Sequence, residues 1–123
     1  MARGRGGARS ASPVDVPRLV EEAEFKASWH GTADTFSKAV ADGALFVVRR
    51  DGHTLYPSFF CDLTLDPRQL AVVSKLLTRV CGHARWLFFV SPKGSLAGMT
   101  PLEALRRGMF TQVKATAQGY AER

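Results

Sequence analysis

Acidic side chains all but vanish from the second half of this 123-residue chain: between positions 67 and 114, Glu103 stands alone against eight lysines and arginines. The stretch before it, residues 14–66, carries five basic and nine acidic groups. This asymmetry excludes an evenly charged surface. It predicts that a polyanion or an acidic protein surface is drawn to the second half and repelled by the first. Cysteine is scarce as well. Cys61 and Cys81 sit in apolar surroundings with no C-x-x-C or Cys/His ligand spacing, so the chain offers neither a disulfide framework nor a zinc site and reads as reduced and cytoplasmic. No run approaches the roughly 18 apolar residues of a membrane span, so no membrane partner is expected. The arginines near the start have no apolar segment behind them, which argues against a secretory signal.

Catalytic patterns are missing too. His30, His53 and His83 are isolated in sequence, and none belongs to an H-E-x-x-H motif. The carboxylates cluster in the first half as helix and turn residues, and without a nucleophile no general acid/base pair emerges. "GRGG" near the start has no strand before it and no helix after it, so it is not a phosphate cradle. The sequence therefore predicts no enzyme, no metal and no cofactor.

What is present is enough apolar surface for one core. Residues 1–13, with three arginines, no acid and hardly an apolar side chain, read as a disordered basic tail. Residues 14–123 read as a single domain, with a helix-turn-helix and hairpin in 14–62 and a helical part in 63–123. From Pro17 to Trp29, Val16, Leu19, Val20, Ala23, Phe25 and Ala27 form a helical stripe, with Glu21, Glu22 and Glu24 toward solvent. Gly31 ends that helix. Thr32 caps a second one, with Ala33, Phe36, Ala39 and Val40 inward and Gly43 as its left-handed stop.

"ALFVVRR" and "HTLYPSFF" are two strand-like runs joined by Asp51-Gly52, the pair that suits a type I′ turn. Pro57 places the second strand at an edge or ends it there. Asp66-Pro67 opens a third helix with Leu70, Val73, Leu76, Leu77 and Val80 on one face, and Gly82 closes it. "HARWLFFV" reads as a buried helix, with a strand as the alternative.

The stretch "LAGMTPLEALRRG" then holds a short helix with its stops written out. Thr100 caps it, Pro101 takes the first turn, and Glu103 completes a capping box. Leu102 and Leu105 point inward, while Arg106 and Arg107 occupy the last turn before Gly108 breaks the helix. A last helix runs from Met109 through Ala117, with Phe110, Val113 and Ala117 on one face. The short helix and its loop would present Lys93, Met99, Arg106 and Arg107 to an acidic partner, because Arg and Met are enriched at interface cores.

Helix, Gly turn, helix and hairpin together outline a winged helix-turn-helix. The helix from Thr32 to Asp42 would enter the major groove with Asp34, Thr35, Ser37 and Lys38 exposed, and Arg49 and Arg50 would lie near the wing. Asp34 and Asp42 would repel phosphate and weaken such contact.

Residues 86–113, "WLFFVSPKGSLAGMTPLEALRRGMFTQV", resemble the toxin-binding domain of the Xre/MbcA/ParS antitoxin family. Leu96, Gly98, Thr100, Pro101, Leu102, Leu105, Gly108 and Val113 match its pattern. Upstream, Gly52, Tyr56, Pro57 and Phe59 match a segment that precedes this domain in relatives, with Phe60 where the family carries Gln. The resemblance implies an antitoxin that blocks a cognate protein toxin, often an NAD-consuming one of the RES type. It also implies promoter DNA as a second partner, and assembly into a homodimer.

The expected fold is thus mainly α with one β-hairpin, a degenerate winged helix-turn-helix followed by a small helical toxin-binding-like subdomain. The competing functions are a DNA-binding regulator without a toxin and an orphan mobile-gene protein with no retained partner.

Overall fold

The computed structural model describes residues 17–122. The basic tail expected over residues 1–13, and Val16 of the expected first stripe, lie outside the described residues. The architecture is mostly helical with a small three-stranded antiparallel sheet.

The described segment opens as a strand, β1 (Leu19–Glu21), that runs straight into α1 (Glu22–Ser28). This corrects the single helix expected from Pro17 to Trp29. Leu19, Val20 and Glu21 pair antiparallel with Pro57, Tyr56 and Leu55, so long-range ladder bonds override the local helical spacing. The stripe was two short patterns end to end: Val20 is buried by the strand and Phe25 by the helix. Phe25, Trp29, Phe36 and Tyr56 then pack ring against ring, with centroids 5.1–5.9 Å apart.

Helix α2 (Ala33–Asp42) has the expected ends. Thr32 Oγ1 accepts from the Thr35 amide at 3.2 Å, and Gly43 takes φ +81°. Phe36 is buried, but Val40, expected inward, is 39% exposed. Strands β2 (Val48–Arg50) and β3 (His53–Pro57) form the predicted hairpin, with Asp51 and Gly52 at φ +53° and +81° as a type I′ turn requires. The order is β1-β3-β2, so the expected lone hairpin is part of a larger sheet and β3 is its central strand. Pro57 ends β3 opposite Leu19, and the chain turns at once into a 3₁₀ segment, Ser58–Cys61.

Helix α3 (Pro67–Leu76) starts where Asp66 Oδ1 accepts from the Arg68 amide at 2.8 Å. It stops at Leu76, before Gly82. That glycine opens α4 (Gly82–Val90) instead of closing α3. A Cβ at Gly82 would stand 2.0 Å from the Val47 carbonyl oxygen, so glycine is there for the approach of α4 to the start of β2. The run "HARWLFFV" lies within α4, which decides for the helix over the strand. Helices α5 (Pro101–Arg106) and α6 (Phe110–Ala121) complete the chain, α6 running past Ala117.

Two buried clusters result. The larger joins Phe46, Val48 and Phe59 to the inner faces of α3 to α6. The smaller gathers Val20, Phe25, Phe36, Leu45, Tyr56 and Cys61. The hairpin serves both, because Val48 faces the first and Tyr56 the second.

Candidate partner-binding surface

A six-residue helix has too few internal bonds to stand by itself, so α5 is held by what surrounds it. At its start Thr100 Oγ1 accepts from the Glu103 amide at 3.1 Å and Glu103 Oε1 accepts from the Thr100 amide at 3.0 Å, a complete capping box with Pro101 in the first turn. Thr100's amide and hydroxyl, with Arg107 and Arg106 close by, hold the Glu103 carboxyl below its usual pKa. At its end the Gly108 amide donates to Leu105 O at 3.1 Å and the Met109 amide to Ala104 O at 2.9 Å, while Gly108 takes φ +80°. That pair of bonds is a Schellman closure. Pro101, Leu102, Ala104 and Leu105 are buried, so the inner face of the helix belongs to the core.

The loop before α5 is equally closed. Lys93 O accepts from the amides of Leu96 and Gly98, and the Lys93 amide donates to Met99 O at 3.0 Å. Ala97 at φ +56° and Gly98 at +84° make the turn, and Leu96 is fully buried beneath it.

The four side chains predicted to face a partner occupy different settings. Arg107 is exposed at the end of α5. Arg106 reaches back across 44 positions: its Nη2 donates to Asp62 Oδ2 at 2.6 Å and its Nε to Thr64 Oγ1 at 2.8 Å, leaving its side chain 28% exposed. Lys93 is half-buried, with Nζ 5.1 Å from the ring centres of both Phe88 and Tyr120. Met99 is half-buried against the larger core. Arg106 and Arg107 are the exposed pair of the four, and Arg106 commits its guanidinium to Asp62 and Thr64.

The Asp62 to Thr64 corner was not read from the sequence. Asp62 Oδ1 accepts from the Thr64 amide at 2.8 Å and from its hydroxyl at 2.6 Å, and the Asp62 side chain is 1% exposed. Burial pushes this carboxyl's pKa up, but the Thr64 hydroxyl and amide together with Arg106 pull it net below its ordinary value. Asp-x-Thr is a recognisable local hydrogen-bonding pattern, so half of this corner was available as a signal. Leu63, between the two pinned residues, is 80% exposed, which makes it the apolar side chain best placed to meet a partner beside Arg106. A recess of about 310 Å³ adjoins, lined by Pro17, Val90, Thr100, Leu102, Glu103 and Arg106.

The residues considered for DNA lie elsewhere. Thr35 spends its hydroxyl on Thr32 O at 2.8 Å, while Ser37 and Lys38 are exposed on α2. Arg49 and Arg50 are exposed on β2, with Arg50 Nη2 3.5 Å from His83 Nδ1. Cys61 is buried and Cys81 exposed, both as free thiols, and among the described residues no cluster of His, Cys, Asp and Glu could hold a metal. Among the described residues no helix is long and apolar enough to cross a membrane. Compared with known protein families, curated proteins and solved structures, the chain finds no match.

Proposed function

We propose that this chain is an antitoxin-like protein that binds and blocks a cognate protein toxin with the surface around α5, the function its resemblance over residues 86–113 implies. The observation that carries this reading is the double closure of α5: a capping box at one end and a Schellman turn at the other hold Arg107 outward on a rigid stub. Pre-organisation of this kind lowers the entropy lost on binding. Leu63 supplies an apolar anchor beside it, and Lys93, Met99 and the remaining exposure of Arg106 form the flank. The blockade is steric and electrostatic, with no covalent step. The resemblance implies an NAD-consuming toxin of the RES type, and the cationic stub would be received by acidic side chains on that toxin's surface.

Promoter DNA is the second partner in this reading, favoured by the exposed cations Lys38, Arg49 and Arg50 at the helix and hairpin of a degenerate winged helix-turn-helix. The test of the main reading is co-expression with the reading frame beside this gene. Relief of that product's toxicity and a stable complex are expected, and Arg107→Glu should weaken the complex at least about tenfold, as loss of an interface arginine does. A neighbouring product that is not toxic, or that forms no complex with the wild-type chain, overturns it. A salt-dependent mobility shift on the upstream DNA, abolished by alanine at Lys38, Arg49 and Arg50, tests the second.

A further inference from the structure

A cleft of about 300 Å³ opens where the end of α2, the segment leading into β2 and the turn after α3 meet. Its walls are Val40, Phe46 and Val47, with Asp42, Thr78 and Arg85 as the charged and polar members. Arg85 is built into it. Its Nε donates to Val80 O at 2.8 Å, and its guanidinium carbon lies 5.3 Å from the Phe46 ring centre. Phe46 is itself 3% exposed and stacked on Phe89 at 5.9 Å, so the platform under the cation is fixed.

Arg18 and Arg106 each have a carboxylate partner. Among the described residues Arg85 pairs with none, and its Nη groups have no acceptor. Burial lowers its pKa, so it carries a charge partly stripped of water. A half-buried guanidinium gains most from an anion that supplies two oxygens in one plane. Asp42 also lines the cleft and penalises each added negative charge, so a single carboxylate is favoured over a polyanion, and Val40 and Val47 beside it favour a hydrocarbon body. Val40, whose position in the α2 pattern points inward yet which stands on the rim, would be covered by that body.

We propose that this cleft binds a small aliphatic monocarboxylate, its carboxylate received by Arg85 on the Phe46 platform and its hydrocarbon body lodged against Val40 and Val47. The proposal is independent of the antitoxin reading. Convergent polar groups beside apolar side chains in a concavity of this size are what small-molecule sites are made of.

The test is a nuclear magnetic resonance titration of the whole chain with isovalerate, isovaleramide and inorganic phosphate at constant ionic strength. Isovalerate should shift the amides of Gly43 to Val47 and Thr78 and the Arg85 Nε resonance to saturation. Isovaleramide should bind at least about tenfold more weakly, because it loses the charge-assisted pair. Phosphate should not displace isovalerate. Arg85→Gln should abolish the response, and Val40→Glu, on the exposed rim, should do so with the fold intact. Equal shifts from the acid and its amide, tighter binding of phosphate, or unchanged binding in Val40→Glu would overturn the proposal, as would the absence of any saturating response.

Discussion

Asp62→Ala is expected to destabilise the protein by about 2–3 kcal/mol, and Arg106→Ala by more. The Asp62 carboxylate is 1% exposed and accepts three hydrogen bonds, two from Thr64 and one from Arg106. Hydrogen bonds to an ionised group each contribute about 1.5–3 kcal/mol, and breaking a fully buried pair costs about 3–5 kcal/mol. Thr64 is exposed and Arg106 keeps 28% of its side-chain surface, so water rescues part of what Asp62→Ala leaves unpaired. Arg106→Ala has no such relief, since it strands a buried carboxylate with only Thr64 for company. The double variant should therefore lose less than the two singles added together.

The pH dependence carries the sign. Asp62's pKa is lowered in the folded state, so its contribution is full above the unfolded value of about 3.9 and is lost as pH falls through the native one. Without Arg106 the burial effect gains weight, and protonation then relieves the folded state. The deficit of Arg106→Ala should shrink between pH 7 and pH 4. Urea unfolding followed by tryptophan fluorescence measures all of this. An Asp62→Ala variant within about 0.5 kcal/mol of wild type, the scatter expected of a surface substitution, would refute the reasoning, as would a deficit in Arg106→Ala independent of pH.

Two further outcomes follow from single contacts. Gly82→Ala replaces a poor helix former at the first position of α4 with the best one, a change that favours the helix by less than the roughly 1 kcal/mol of a helix interior. The added Cβ would nevertheless meet Val47 O at 2.0 Å, so a net loss of about 2 kcal/mol or more is expected by calorimetry, and a gain would mean α4 and β2 stand further apart. Burial pushes the Cys61 thiol up to about 11, so at pH 8 iodoacetamide should modify exposed Cys81 and leave Cys61 intact until the chain unfolds. Mass spectrometry of the native protein reads this directly, and equal labelling of both would contradict the burial.

The features legible in the sequence are those whose causes are local. Thr32, Asp66 and Thr100 cap their helices because a side-chain oxygen and an amide two or three residues on are enough. Asp51-Gly52 makes its turn, and Gly43 and Gly108 their stops, because a positive φ is settled within a few bonds. What escaped has its cause far along the chain. The strand β1 exists through pairing with residues 55–57, and three residues are too few to show an alternation against a neighbouring helix pattern. Gly82 looks like a helix stop until Val47 is seen beside it. Arg106 reads as a surface cation until Asp62 arrives from 44 positions away.

That last pairing changes how the arginine doublet works. Two adjacent cations at the end of a short helix look interchangeable, but consecutive helix positions point about 100° apart and so face different neighbours. Arg106 turns to the Asp62–Thr64 corner and fixes the loop that raises Leu63, while Arg107 stays with solvent. One arginine thus sets the shape of the surface and the other supplies its charge. Replacing Arg107 should change binding with little effect on stability, and replacing Arg106 should change both. The ratio of the two effects separates a residue that touches a partner from one that holds the surface in place.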